Sequence, residues 1–486
     1  MKKAVLWLLA LFLCVPASAQ QRTVSPSVLR ALLIGSDRFV TQESLEPSAI
    51  NNVRTMRQLL FSDERSYEHV VTSVNEPLDE ESFKDLVKKA FQGSKGNDIS
   101  LFYISTHGDY SDEVEGFFRL LLSDGQQEYV LTMKTLYETL KPIQGTKVLI
   151  IDACNSGMLL GKGAELDYFV SPFIEDGFKV LTSSGGKELS YNWSSRQDAR
   201  FGGSYFLLSL AGGLGYQGNF AADANHDGSI TMNETYQYLL GNYGPSTPQV
   251  YPQQDQFVLI QYSSNIISSN RRLITDVHFE NTTLSGGESE ISFAYTLNRR
   301  ARLAYQLVYE HSGAWQFDQP QLIGENETST GMTLPGRKQR SLTLQQSSEE
   351  AYGHVLFFIM AIDEDRAIPL YTSLLSVQSG VEQSLSVSTG KTFSPEKGEE
   401  LPILFTHEKP CTYTVMIRNA QGDLVATPIL DQASRPQHLQ PSASVVYWDG
   451  RDDMGETVLM GEYTVQVQIV SDNRTSVAFS DLFTVE

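Results

Sequence analysis

Two short runs hold the residue types that thiol chemistry needs: Ser105-Thr106-His107-Gly108-Asp109 and Asp152-Ala153-Cys154-Asn155-Ser156-Gly157. An imidazole beside a thiol lowers its pKa, takes its proton and returns one to a leaving amine. Gly108 has no side chain, so its backbone N–H can approach a substrate carbonyl. Together with the N–H of Cys154 it would form an oxyanion hole worth roughly 3–4 kcal/mol of transition-state stabilisation. Singly, each residue has a plainer reading: cysteine is among the most buried residue types, and a histidine at a strand end is often structural. The combination, with a glycine close behind each, favours catalysis. A metal site built from His107, Asp109 and Cys154 would lack the second close-spaced ligand pair that such sites use.

A third run, Asp223 to Glu234, reads D-x-N-x-D-G-x-I-x-x-x-E without a gap. Ca²⁺ takes about 6–8 oxygen ligands, and this spacing supplies them. Asp223, Asn225 and Asp227 would give side-chain oxygens, Ser229 its carbonyl, Thr231 a bound water and Glu234 both carboxylate oxygens. Gly228 allows the sharp turn. The other reading is an Asp/Asn/Gly-rich turn with no ion. A single loop of this kind implies a structural clamp rather than a sensor.

For His107 and Cys154 to meet, their runs must leave neighbouring strands of one sheet. The sequence predicts strands at 29–35, 69–74, 99–105, 147–152 and 178–183, separated by amphipathic helices near 49–60, 80–91, 133–140 and 204–211. The strands are apolar almost throughout, as in a parallel sheet covered on both faces. Functional groups of such sheets gather beyond the carboxyl ends of the strands, where both runs fall. Past Tyr262 the pattern changes to period-two alternation, as in 291–297, 304–310, 412–419 and 462–470. The expected fold class is therefore an α/β domain at 27–262 followed by two β-sandwiches at 272–380 and 381–486, with joints at 263–270 and 376–384.

Composition limits the partners. A chain of 486 residues, 41% hydrophobic and 20% charged, has the make-up of a folded protein with two to four domains. A formal net charge of −21 repels phosphate backbones, which excludes nucleic acid as a partner. Lys2 and Lys3, the apolar run Ala4–Val15, Pro16 and Ala17-Ser18-Ala19 form an expected signal peptide over residues 1–19. The run is too short to cross a bilayer, and no later stretch is long enough, so no transmembrane anchor is expected. The protein is expected to be exported to the periplasm, the cell surface or the medium. Cys14 would leave with the signal. Cys154 and Cys411 remain, too few and too far apart for a disulfide framework.

These motifs in this order resemble the clan of caspases, metacaspases, legumains, gingipains and clostripain. A strand runs into His-Gly, the next into Asp-Ala-Cys-x-Ser-Gly, and ALLIGSDRF with INNVRTMRQLL looks like the clan's first strand and helix. GGSYFLLSL (202–210) resembles the helix after its substrate loop. The resemblance covers about residues 28–262. It implies a caspase-like fold and a cysteine endopeptidase acting on protein or peptide substrates. Asp152, two before the nucleophile, would line the S1 pocket with Ser105 and pair with an arginine or lysine at P1, although an N-cap role for it is also open. A further pocket acid of metacaspases falls where this chain has Asn52, and Asp37 could substitute. The 182–186 loop, with Ser183 and Ser184, resembles the segment that pairs with the substrate; Tyr191 and Trp193 beyond it could shape outer subsites. Asparaginyl cleavage, as in legumains, is the rival specificity. An inert surface-binding protein on the same scaffold is the rival function. If P1 is basic, Arg271-Arg272 and Arg299-Arg300 are candidate self-cleavage sites.

The last 106 residues contain VYWDGRDDMG followed by GEYTV, which resembles the Ig-like domain of the flagellar hook-capping protein. The two β modules carry no catalytic constellation and imply a possible cell-surface partner.

Overall fold

The computed structural model describes residues 27–110, 118–161, 171–175, 177–194, 201–242, 245–262, 272–280, 283–284, 288–311, 314–323, 331–345, 354–362, 366–377, 385–407, 411–434, 443–453, 455–471 and 474–486. The expected signal peptide, the 263–270 joint, Arg271 and most of the 376–384 joint lie outside the described residues.

The first half opens with β1 (Leu29–Gly35), α1 (Ser48–Phe61), β2 (Tyr67–Val74), α2 (Glu80–Phe91) and β3 (Ile99–Ser105). Three short strands follow, β4 (His107–Tyr110), β5 (Phe118–Ser123) and β6 (Glu128–Thr132), then α3 (Met133–Leu140), β7 (Thr146–Asp152) and β8 (Phe178–Thr182). Next come β9 (Asn192–Ser194), β10 (Gly202–Ser204), α4 (Tyr205–Leu214), β11 (Ser229–Thr231), α5 (Met232–Asn242), β12 (Gln249–Tyr251) and β13 (Val258–Gln261). The main sheet has the order β12-β8-β7-β3-β1-β2. Its strands are parallel except β12, which runs antiparallel to β8. β3 and β7 are buried from their second residue to their last, as their unbroken apolar runs require.

One face of the sheet packs on α1 and α4, the other on α2, α3 and the β4-β5-β6 sheet. That small antiparallel sheet begins at His107 itself. It was not expected from the sequence, because its strands are only four to six residues long. Helix α2 shows how tightly local chemistry sets boundaries. Asp79 accepts from the Ser82 N–H and Ser82 accepts from the Asp79 N–H, and Phe83, Val87, Ala90 and Phe91 form its buried stripe.

Beyond the sheet domain the chain is β throughout: β14 (Ile274–Phe279), β15 (Thr283–Leu284), β16 (Glu288–Leu297), β17 (Leu303–His311), β18 (Ala314–Phe317), β19 (Gln321–Ile323), β20 (Gly336–Gln345), β21 (His354–Ile362) and β22 (Ala367–Val377). They form two mainly antiparallel sheets, β14-β16-β20 and β15-β22-β21-β17-β18, consistent with a sandwich. Its core is continuous with that of the first domain. A single apolar cluster runs from β1 and β3 through Tyr205, Phe206 and Leu210 of α4 into Phe357, Phe358 and Ile368. The strands of residues 385–485 form two further sheets with a separate core, in which Trp448 is buried and its Nε1–H donates to the Arg451 carbonyl at 2.8 Å.

Candidate active site

β3 and β7 are parallel neighbours, with Ser105 opposite Asp152 at their ends. The two chemically loaded runs therefore leave the sheet side by side. His107, Gly108 and Cys154 line one cavity of about 550 Å³, together with Thr41, Asp109 and Leu189. Gly108 is what allows this approach: a Cβ there would overlap the carbonyl oxygen of Cys154 and press on the methyl of Ala153. Any larger residue would push β4 away from the backbone of Cys154.

The imidazole is oriented from its far side. His107 Nε2 lies 2.8 Å from the carbonyl oxygen of Glu43. A carbonyl only accepts, so Nε2 carries the proton and the lone pair is left on Nδ1. Phe39 packs on the ring with centroids 4.5 Å apart. The segment carrying Phe39 and Glu43 is tied down by Glu128 of β6. That carboxylate accepts from the N–H of Val40, and from the N–H and hydroxyl of Thr41 at 2.7 Å each.

Cys154 sits half-buried beneath Ser190. Its Sγ accepts from the Ser190 N–H at 3.3 Å and lies 3.6 Å from the Ser190 carbonyl. Burial pushes the thiol pKa up, with the Ser190 N–H pulling the other way. A thiol so held would need a base to take its proton before it could act as a nucleophile.

Asp152 lies behind Cys154, buried, and does not reach the cavity wall. Its carboxylate accepts from the hydroxyls of Ser204, Tyr103 (3.1 Å) and Ser190 (3.4 Å) and from Asn52 Nδ2 (3.4 Å). Burial pushes its pKa up to about 6 against the pull of those hydroxyls. Ser105 belongs to the same cluster, its Oγ accepting from Asn52 Nδ2 at 2.9 Å. Asn52 Oδ1 accepts from the Ser204 N–H at 3.0 Å.

Residues 29–263 match the family model described as the caspase domain. Residues 29–263 form a caspase-like domain of the cysteine peptidase clan. Solved structures similar to the chain include a Geobacter sulfurreducens protein at 15% identity, covering 49% of this chain and 100% of that one with a TM-score of 0.34. Caspase-1 from Spodoptera frugiperda is 15% identical over 48% of this chain and 92% of its own, TM-score 0.32. The Drosophila initiator caspase Dronc is 14% identical over 43% and 72%, TM-score 0.27. No curated protein matches the chain. A caspase domain is a cysteine peptidase domain, so protein chains are the implied substrates.

Three expected substrate-binding residues of the caspase domain stand elsewhere. Asp37 is fully buried and accepts from the N–H groups of Ala49 (2.6 Å) and Ile50 (2.9 Å), so it satisfies the first turn of α1 rather than a ligand. Burial pushes its pKa up in turn. Ser183 and Ser184 are also fully buried and brace the loop that carries Cys154. Ser183 Oγ accepts from the Ala153 N–H at 3.1 Å, and both hydroxyls donate to the Ala153 carbonyl at 3.1 Å. A backbone segment locked in this way leaves its hydroxyls no reach toward a peptide. The N-cap alternative for Asp152 also falls, since only a short 3₁₀ turn, Ser156–Leu160, follows and the carboxylate points into the serine cluster. Trp193 is buried. The residues that the sequence reading missed are Ser190 and Ser204, with Glu43 through its carbonyl. Only GGSYFLLSL had pointed near one of them.

The calcium-type loop closes on itself. Gly228 turns at φ +91°, β11 pairs with β13, and α5 follows. Glu234 reaches back to the N–H groups of Ala224 (3.2 Å) and Thr231 (2.9 Å), joining the loop's two ends as a closing ligand would. Asp223 accepts from the Gly228 N–H at 3.1 Å, and Asp227 from the Ser229 N–H at 2.7 Å. Among the described residues, no three His, Cys, Asp or Glu side chains converge closely enough to hold a metal. The ring has the form of a calcium loop, and the carboxylates would have to turn from its N–H groups to take the ion.

Proposed function

We propose that this chain is an exported cysteine endopeptidase that cuts peptide bonds after arginine or lysine. The observation that carries the reading is the cavity at the ends of β3 and β7 that Cys154 and His107 both line, with Gly108 closely approaching the Cys154 backbone. In the proposed reaction His107 Nδ1 takes the thiol proton as the sulfur bonds to the substrate carbonyl carbon. The N–H groups of Gly108 and Cys154 face the oxygen that becomes negative. The carbon–nitrogen bond then breaks, and the imidazolium returns its proton to the departing amine. Water, deprotonated by the same imidazole, hydrolyses the thioester and regenerates the thiol.

Asp152 is the proposed partner of the basic side chain, assisted by Ser105. It lies under Ser190, so a guanidinium reaches it only as Ser190 lifts from the thiol. The pairing of a buried carboxylate with a fork of N–H donors is strong once formed. Export rests on the composition of residues 1–19. The Asp223–Glu234 ring is proposed to hold Ca²⁺ through Asp223, Asn225, Asp227, Ser229, Thr231 and Glu234, which would pin β11 and α5 together. On the last module, exposed Leu459, Met460 and Leu482 support a surface partner for the β region.

The test is turnover of peptide amides ending in Arg, Lys or Asn, with Cys154→Ala as control. Arg and Lys substrates should be cut and the control should be inactive. Turnover that survives Cys154→Ala sinks the mechanism, and cleavage of the Asn substrate alone sinks the role of Asp152.

A further inference from the structure

Ser190-Tyr191 and Ser204-Tyr205 repeat one arrangement on two separate stretches of the caspase domain. Each serine donates its hydroxyl to Asp152. Each neighbouring tyrosine packs on the same ring, Phe317: Tyr191 at 5.4 Å between centroids, and Tyr205 stacked at 4.8 Å and 25°. Phe317 does not belong to the caspase domain. It ends β18, in the hairpin that β17 and β18 form in the first sandwich.

The contact is built rather than incidental. Tyr205 is fully buried, and its hydroxyl shares a hydrogen bond with the equally buried Gln306 of β17 at 3.0 Å. Gln306 Nε2 in turn donates to the Asp318 carbonyl at 2.6 Å, closing the hairpin behind Phe317. The Tyr205 N–H donates to the Tyr191 carbonyl at 3.0 Å, which ties the two stretches to each other. Ser190 then carries the arrangement to the nucleophile, through its N–H on Cys154 Sγ. A path of direct contacts therefore leads from the sandwich to both the thiol and the pocket carboxylate, and each step is a packed ring or a hydrogen bond.

We propose that the β17–β18 hairpin is a positioning element of the peptidase site. Phe317 sets how far Ser190 covers Cys154 and how Asp152 meets the basic side chain before the cut bond. The Asp152 half of this inference rests on the proposed arginine or lysine specificity; the Cys154 half does not. The sandwich thereby supports the site from behind Tyr191 and Tyr205, and the two domains form one working unit.

The experiment compares Phe317→Ala with Phe317→Tyr in the full chain. Alkylation of Cys154 by iodoacetamide is followed at its own peptide by mass spectrometry, beside KM and kcat on an Arg-ended amide. Phe317→Ala is expected to alkylate about tenfold faster and to raise KM about tenfold with a smaller change in kcat, the scale that loss of two aromatic contacts sets. Phe317→Tyr should follow the wild type in both. Tyr191→Ala removes one of the same contacts from the caspase side and is read identically if Phe317→Ala fails to fold. A folded variant with wild-type alkylation and wild-type KM overturns the proposal. Faster alkylation with unchanged KM upholds the Cys154 half and overturns the Asp152 half. If the wild type cuts no basic substrate, the specificity reading has failed, and alkylation still decides the positioning.

Discussion

Cys154 and Cys411 are both free thiols, both beside strand ends, and both pushed up in pKa by burial. Their surroundings differ. Cys411 is wholly inside the last module's core, with its N–H on Ser434 Oγ at 2.9 Å and its thiol raised to about 12. Cys154 is half-exposed, receives an N–H on its sulfur and opens into a cavity that it shares with an imidazole. Burial alone makes a thiol inert; a base and an opening on one side are what the proposed role of Cys154 requires.

The largest expected effect tests that contrast directly. Cys154→Ala should lower peptide hydrolysis by about 10⁴-fold or more, the scale at which a nucleophile's loss is felt, and leave the melting temperature nearly unchanged. Cys411→Ser should do the reverse: unchanged kcat/KM and a melting point a few degrees lower, as a polar atom enters an apolar core. Initial rates and calorimetry on the two variants decide it. Equal iodoacetamide reactivity of the two thiols would break the comparison.

Asp152→Asn sharpens it, because here activity and stability are expected to move in opposite directions. On Arg-ended amides kcat/KM should fall by about 10²–10³-fold, the loss of a charge-assisted fork. The folded-state pKa of about 6 lies above the ordinary 3.8 of an aspartate, so the native state binds a proton more tightly than the unfolded chain. The stability this gives is fully present below pH 4 and is lost as pH rises through 6, a total of about 3 kcal/mol. The Asn variant has no such loss. Its melting-point advantage over wild type should grow between pH 4 and 6 and then level off. A constant difference across that window would mean that Asp152 is not buried as described.

Calcium should act on one region only. At a hundredfold excess over its Kd, a bound ion adds about 2.7 kcal/mol to the caspase domain. In mild denaturant, chelation should speed the alkylation of Cys154 and leave Cys411 as slow as before. Glu234→Gln should remove the response. Identical acceleration at both thiols would place the ion's effect elsewhere.

What the sequence disclosed and what it hid divide along chain distance. The strand carrying ISLFYIS and the helix EESFKDLVKKAF were legible because burial on both faces and an amphipathic stripe leave direct periodic signals. His107 and Cys154 could be placed near one another because each lies two residues past the end of such a strand. The residues around Asp152 were not. Ser190 and Ser204 come from loops and short strands whose position is set by Tyr191 and Tyr205 packing on a different module. The partner of His107 is a backbone carbonyl, which any residue at position 43 would supply and no pattern marks. Asp37 was misassigned for a related reason: an acid in a loop before a helix suits a pocket or a helix start equally, and only the fold chooses.

The smallest expected effect concerns the one position where the resemblance to metacaspases calls for an acid and this chain has an amide. Asn52 donates to Ser105 Oγ and to Asp152, and accepts from the Ser204 N–H. Asn52→Asp keeps the acceptor, loses both donations and sets a second carboxylate within hydrogen-bonding distance of the first. Like charges this close raise each other's pKa, and the two then titrate as a pair. The acid limb of kcat/KM on an Arg-ended amide should therefore move to higher pH by about one unit, roughly a tenfold loss at pH 6. Above the limb a guanidinium meets two acids instead of one, so KM at pH 8 should fall. A pH–rate profile of the variant decides it. An unmoved limb would mean that the group meeting the basic side chain is not Asp152, and the contrast between the two thiols would then have to stand on His107 and the cavity alone.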